Sequence, residues 1–333
     1  MKNSKKRLKI KLFKPKIIVI LGPTASGKSE LAVKIAKKFN GEIISADSRQ
    51  VYKGMDIGTG KVPRDKSKIK NKKDYFHQGI QHYLLDIVSP RQRFTVVQYR
   101  KFALAAIKKI LKKGKIPILC GGTGFYIQAI VDGIVIPEVR PDWKLRKKLE
   151  KKSTEELYQI LKKLDPKRAK KIEKKNPRRL IRAIEIITKT KKPIPLLKKN
   201  PLPHPVLIIG IKKGKKELIF LIKRRFFKWL KQGLIKEVKN LKKIGLSWKR
   251  IEDFGIHYRV VAQYLQKKLN YKEMVENSLK ELQNYAKRQM TWFTRQNFVE
   301  QNLGGFKKDK RIHWIKDYGE AEKLIKQFLQ MSK

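Results

Sequence analysis

Acidic residues are scarce in this chain and cysteine is nearly absent. The 333 residues include 28 Asp and Glu against 84 Lys and Arg, a formal net charge of +56. A surplus of that size attracts polyanions and makes their binding salt-dependent, so a nucleic-acid partner is favoured. The lysines are spread over nearly every segment, so a chain-wide composition bias accounts for part of the excess. The lone Cys120 excludes an internal disulfide and any cysteine-rich zinc module, and its expected role is small buried filler at a strand end. No apolar run approaches a membrane span, and the basic stretch MKNSKKRLKIKLFKPK has no apolar centre of a secretion signal. A soluble, cytoplasmic protein with no membrane partner is expected. Internal repeats and low-complexity tracts are also missing.

What is present begins with GPTASGKS, Gly22 to Ser29, behind the apolar run Ile17 to Ile20. It fits G-x-x-x-x-G-K-[ST], in which backbone N–H groups curl around phosphate oxygens while Lys28 and the Ser29 hydroxyl serve a terminal phosphate and Mg²⁺. The residues before it read as a buried strand. Leu31, Ile35 and Phe39 recur at helical spacing behind it, so phosphate would sit at a helix N-terminus. The loop specifies phosphate without specifying ATP hydrolysis.

A chain of this length, with 41% hydrophobic residues, has room for two domains and a sizeable core. Glu42 to Ala46, Tyr83 to Ile87, Ile116 to Cys120 and Val206 to Ile211 read as further strands, separated by helical or loop-like segments. That alternation predicts an α/β fold with a parallel sheet covered on both faces. Residues 134–205 are helical and then proline-punctuated, without a convincing strand. The expected organisation is a P-loop parallel-sheet core (15–133 and 206–333) carrying a helical insertion domain (134–205). Long amphipathic stretches, Lys216 to Ile244 and Tyr271 to Phe298, precede a short apolar run Arg311 to Ile315 and a last helix.

Three further constellations carry chemistry. The second strand ends in ADSRQVYKGMDIGTGK, which puts Asp47 at a C-terminal strand edge, where ligands of open α/β sheets lie. Asp47 there can act as a general base, bind Mg²⁺ or simply cap the next turn. Asp56, between glycines, reads as a turn residue. Next, IPILCGGTGFY ends a buried strand in Gly121 to Gly124, with Thr123 offering a hydroxyl to a substrate or serving the turn. That strand lacks the terminal Asp of a standard ATP hydrolase. Third, NPRRLIR supplies Arg178, Arg179 and Arg182, and YAKRQMTWFTR supplies Lys287, Arg288, Trp292 and Arg295. Arginine fits phosphate bidentately and aromatics stack on unpaired bases, so both stretches suit RNA, or are solvated faces with Trp292 buried.

These segments, together with HYLLDIVSP, FGIHYR…QYL and RIHWI, occur in the order and approximate spacing of the tRNA dimethylallyltransferases, and the chain resembles that family from Lys16 to its last helix. The resemblance implies a P-loop core whose loop holds the diphosphate of dimethylallyl diphosphate. It implies a helical insertion around the tRNA anticodon stem-loop, and prenyl transfer to N6 of the adenosine 3′-adjacent to the anticodon. Base flipping is then required, because a stacked amine cannot meet an allylic carbon.

Carried over by motif, Gly22, Pro23, Thr24, Ala25, Ser26, Gly27, Lys28 and Ser29 line the diphosphate with Arg225, Ser29 meets Mg²⁺, and Lys28 offsets leaving-group charge. Asp47 resembles the base on N6 and Thr123 the hydroxyl that orients the flipped adenine. The implied tRNA contacts are Asp47, Ser48, Arg49, Gln50, Thr123, Arg146, Arg178, Arg179, Leu180, Ile181, Arg182, Tyr258, Arg259, Lys287 and Arg288. A monomer is expected. The sequence departs from the family where Gly-Tyr-[Lys/Arg] becomes His257-Tyr258-Arg259, and where Lys223 and Lys228 flank Arg225. One cysteine cannot build the eukaryotic zinc finger, which favours the shorter bacterial-like form. Two other readings stand beside this one, a P-loop kinase of a nucleoside or small metabolite and an RNA-binding module whose P-loop senses nucleotide.

Overall fold

The computed structural model describes residues 15–65, 74–134, 139–194, 199–294 and 310–331. The chain order is β1 (Ile17–Leu21), α1 (Lys28–Lys38), β2 (Gly41–Ser45), β3 (Tyr75–His77), β4 (Ile80–Tyr83), α2 (Val96–Lys112), β5 (Ile116–Gly121) and α3 (Gly124–Val131). Four helices follow, α4 (Trp143–Leu149), α5 (Thr154–Leu164), α6 (Pro166–Lys171) and α7 (Pro177–Thr190). The chain returns through β6 (Val206–Ile211), α8 (Lys215–Gln232), α9 (Leu234–Lys243), α10 (Trp248–Glu252), α11 (Ile256–Leu265), α12 (Tyr271–Thr294), β7 (Ile312–Ile315) and α13 (Tyr318–Gln330).

The strands form one sheet in the order β3-β4-β2-β5-β1-β6-β7, parallel throughout except for the β3–β4 pair. Central β1 is wholly buried, and its side chains alternate between two cores as strand pleating requires. Ile17, Val19 and Leu21 join the apolar residues of α2 and α3, whereas Ile18 and Ile20 join those of α1 and α13. The sheet is therefore covered on both faces, as a continuous hydrophobic strand predicts.

The segments after β5 build two further cores. Leu149, Leu157, Leu161, Leu180 and Ile184 pack together within the four helices between α3 and β6, and the only bridge there among the described residues joins Ile134 to Lys199. Phe226, Trp229, Val238, Tyr258 and Leu282 gather α8 to α12 around Val51, Tyr52 and Met55 from the loop after β2. That packing seats the DSRQ and GMDIGTGK segments on the late helices.

Several expected boundaries change. The strand placed at Tyr83 to Ile87 is instead β4, Ile80–Tyr83, because Leu84 (φ 64°) and Asp86 (φ 54°) turn the backbone out of the extended region. The stretch Lys216 to Ile244 is two helices broken at Gly233, whose φ of 99° no ordinary helical residue adopts. Helix α12 is described to Thr294, so Arg295 lies outside the described residues.

Candidate active site

The loop after β1 turns on Ala25 (φ 63°) and Gly27 (φ 87°), and Gly27 caps α1. Ser26 N–H donates to the Pro23 carbonyl (3.3 Å), and Lys28 Nζ folds back onto the same carbonyl (3.1 Å). Burial and then the Arg225 guanidinium lower the Lys28 pKa to about 8, while the Asp47 charge pulls the other way. Arg225 reaches the loop from α8, its Nη1 3.5 Å from Thr24 Oγ1. It lies so close over Gly60 that a Cβ there would overlap the guanidinium, and burial lowers its pKa too. Two cations thus crowd one loop at a helix N-terminus, an arrangement that an anion would relieve.

Beside this loop sits the end of β2. Asp47 Oδ1 accepts the Arg49 N–H (2.8 Å) and the Gln50 N–H (3.4 Å), so one carboxylate oxygen caps the turn. Its other oxygen accepts no hydrogen bond among the described residues, and the side chain is only half-buried. Capping and proton acceptance are therefore compatible, one oxygen for each. Thr123 Oγ1 accepts the Ser48 N–H (3.0 Å), and Tyr285 lies against the Thr123 side chain. This places Asp47, Ser48 and Thr123 side by side at the sheet edge.

The residues implied as tRNA contacts divide into two groups. Arg49 is anchored by its Nε to the Phe254 carbonyl (2.8 Å). Arg178, Lys287 and Arg288 are exposed, Arg179 pairs with Glu173 (2.9 Å), and Arg259 pairs with Glu281 (2.6 Å) while keeping 42% of its side chain exposed. The others are withdrawn. Gln50 spends both ends of its amide inside the protein, on Ser45 Oγ and on the Thr59 and Gly60 carbonyls. Leu180 and Ile181 are 0% and 8% exposed and build the insertion core. Tyr258 is 2% exposed and donates to Glu237 Oε1 (2.7 Å). Arg146 binds Glu185 with two nitrogens (2.8 and 2.7 Å) and Arg182 adds a third bond (2.6 Å). Burial pushes the Glu185 pKa up, but these bonds and the Asp142 N–H outweigh it and hold the group below its usual range.

The carboxylates and amides that shape the site leave little mark in the sequence. Glu237 accepts the N–H groups of Asp56, Ile57 and Gly58 (2.7, 2.7 and 3.0 Å), which makes GMDIG a nest around one buried acid. Lys61, its side chain 1% exposed, ties Asp56 to Asp86 and donates to the Tyr52 carbonyl. Asp56 is thus the turn residue its glycine neighbours predicted. His257 lies buried against Trp229 and Gly58, and burial drops its pKa to about 3. Cys120 is buried filler whose thiol pKa burial lifts to about 12. Gln289, 5% exposed, accepts the Thr24 N–H (2.8 Å) and donates to the Gly122 carbonyl (2.9 Å). Only its place one turn after Tyr285 on α12 hinted at that.

A family model described as IPP transferase matches residues 50–296. A tRNA dimethylallyltransferase of Acetivibrio thermocellus is 42% identical over 320 residues, 93% of this chain and 95% of the relative. One from a Thermoanaerobacter species is 38% identical over 325 residues, 94% and 96% of the two chains. Among solved structures, the tRNA isopentenylpyrophosphate transferase of Bacillus halodurans aligns with TM-score 0.64 at 32% identity, covering 95% of this chain and 96% of its own. A eukaryotic dimethylallyltransferase acting on tRNA aligns with TM-score 0.70 at 26% identity, over 95% and 77%. With a phosphate-type loop, a strand-edge acid and a hydroxyl converging on one sheet edge, and with relatives matched over nearly their whole length, the chain belongs to the IPP transferase family.

Proposed function

We propose that this chain transfers the dimethylallyl group of dimethylallyl diphosphate to N6 of the adenosine 3′-adjacent to the anticodon of tRNA, releasing pyrophosphate. The observation that carries this reading is the division of the site. Two cations, Lys28 and Arg225, crowd the P-loop, while Asp47 and Thr123 stand together on the neighbouring loops. The diphosphate oxygens take the N–H groups at the start of α1 and the charges of Lys28 and Arg225, which offset charge developing on the leaving group. The allylic C1–O bond breaks as the N6 lone pair forms the new C–N bond, and the N6 proton passes to the uncapped Asp47 oxygen. Thr123 orients the adenine so that this oxygen meets the amine, and positioning supplies much of the rate.

A magnesium ion fits the donor set. No group of three or more His, Cys, Asp or Glu side chains among the described residues could cage a metal. Mg²⁺ characteristically keeps waters and joins one or two protein oxygens to substrate phosphates. The Ser29 hydroxyl in the first turn of α1 would be the protein ligand, and the buried Ser26 hydroxyl of the same loop has no hydrogen-bond partner among the described residues. When bound, the ion adds positive charge to the diphosphate.

The kinase reading lacks an acid at the end of β5, which closes in Cys120 and Gly121. The test is mass spectrometry of nucleosides from tRNA incubated with the protein, Mg²⁺ and dimethylallyl diphosphate. Prenylated adenosine supports the transferase. ATP turnover on a small acceptor without it installs the kinase, and tRNA binding with neither reaction leaves the binding module.

A further inference from the structure

One side chain joins the two halves of this site without standing among the reacting groups. Gln289 accepts the Thr24 N–H of the diphosphate loop and donates to the Gly122 carbonyl of the loop bearing Thr123. A carboxamide suits this place because it offers one acceptor and one donor, and only one orientation of the amide satisfies both neighbours. Charged or apolar side chains of the same size fail on at least one side. The contact is close enough that a Cβ on Gly122 would overlap the Gln289 amide.

Two neighbours on the same face of α12 extend the connection. Tyr285, one turn earlier, lies against the Thr123 side chain, and burial raises its pKa. Trp292, one turn later, occupies the space that a Cβ on Gly124 would need. The spacing of these three residues, i, i+4 and i+7, gives a helix one continuous stripe. Helix α12 thus grips the GGTG turn at three successive points and the P-loop at one.

We propose that Gln289 is a positioning residue that sets the separation of the diphosphate loop from the Thr123 hydroxyl, and thereby of the allylic carbon from the adenine amine. This rests on the transferase reading above. In-line displacement tolerates little slack, since a shift of about 1 Å in a reacting group costs on the order of 10²-fold in rate.

The test is steady-state kinetics on Gln289→Met, which keeps length and loses both bonds, and Gln289→Glu, which keeps the bond from Thr24 but turns an acceptor toward the Gly122 carbonyl. Each is also combined with Thr123→Val. Gln289→Met is expected to lower kcat about 10²-fold, with KM for donor and for tRNA within about threefold of wild type. Gln289→Glu is expected to lower kcat as well, and each double variant to lose little more than its worse single, because both changes act on one geometry. The proposal is overturned by kcat within about twofold of wild type, by KM values that rise while kcat holds, or by losses that multiply in the double variants. If Gln289→Met cannot be purified folded, Gln289→Glu decides by the same criteria. Failure of wild type to prenylate any adenosine sinks the transferase reading, whereas active wild type with unaffected variants sinks only the positioning role.

Discussion

The basic residues at the P-loop and those of the insertion look alike in sequence and sit in opposite electrostatic surroundings. Arg225 lies buried beside Lys28, and burial lowers the pKa of both. Arg146 and Arg182 converge on Glu185, a carboxylate with no exposed side-chain surface. The first pair sets two cations side by side, which suits an anionic ligand, and the second already shares a carboxylate of the protein. A basic residue therefore reports a ligand only where the fold withholds a carboxylate from it.

The largest effect is expected at the acid facing the cationic loop. Asp47→Asn keeps the turn cap but removes the basic oxygen, and kcat should fall about 10²- to 10⁴-fold with donor and tRNA affinity changed far less. Loss of donor binding with single-turnover chemistry intact at saturating donor and Mg²⁺ would make Asp47 a metal ligand instead.

On the insertion side the expected effect falls on stability rather than on rate. Glu185→Gln leaves two guanidiniums without their counter-charge, and unfolding experiments should register a loss of about 3 kcal/mol, at the lower end for a broken buried pair. The lower end applies because Arg146 and Arg182 keep 22% and 33% of their side chains exposed. Donor affinity should be retained. An unchanged denaturation midpoint would show that the cluster is not what holds α4 to α7.

The cationic loop also predicts a pH dependence. A diphosphate favours charged Lys28, and in the free protein that charge is lost as pH rises through about 8. Affinity for dimethylallyl diphosphate should be flat below pH 8 and about tenfold weaker one unit above it, because binding then requires proton uptake. Arg225→Met removes a charge that lowers the Lys28 pKa, so the break should move to higher pH even as affinity falls. Affinity independent of pH from 7 to 9.5 would discard Lys28 as a diphosphate ligand.

The smallest effect belongs to the exposed cations. Arg178→Ala should weaken tRNA binding by a few-fold and reduce its salt slope by roughly one unit, the signature of one phosphate contact. The change should leave folding and donor binding untouched. A salt slope equal to wild type would return Arg178 to a solvated face.

How much of this was readable beforehand depended on the range of the interaction. GPTASGKS carries its own turn geometry, and β1 carries its burial as an unbroken apolar run, so the loop and the sheet were legible from local pattern. The boundary at Leu84 was not, because a left-handed leucine leaves no compositional mark. In YAKRQMTW the visible signal was the basic and aromatic character of Lys287, Arg288 and Trp292. The face that α12 turns inward carries Trp292 together with Tyr285 and Gln289, and the last is polar and so looks like surface.

By itself the amino-acid string determined the chemistry on offer: a phosphate loop, a strand-edge acid, a hydroxyl, and a large excess of positive charge. These follow from short-range rules of turn, strand and helix, which act within a few residues of each other. Tertiary structure alone decided which polar groups were spent internally and which were left for a substrate. Glu185 claims Arg146 from 39 positions away, Glu237 claims Tyr258 and the GMDIG turn, and Gln289 reaches Thr24 across 265 positions. Leaving a buried polar group unpaired is costly, and in a folded chain the partner is whichever group the packing brings within reach, however distant in sequence.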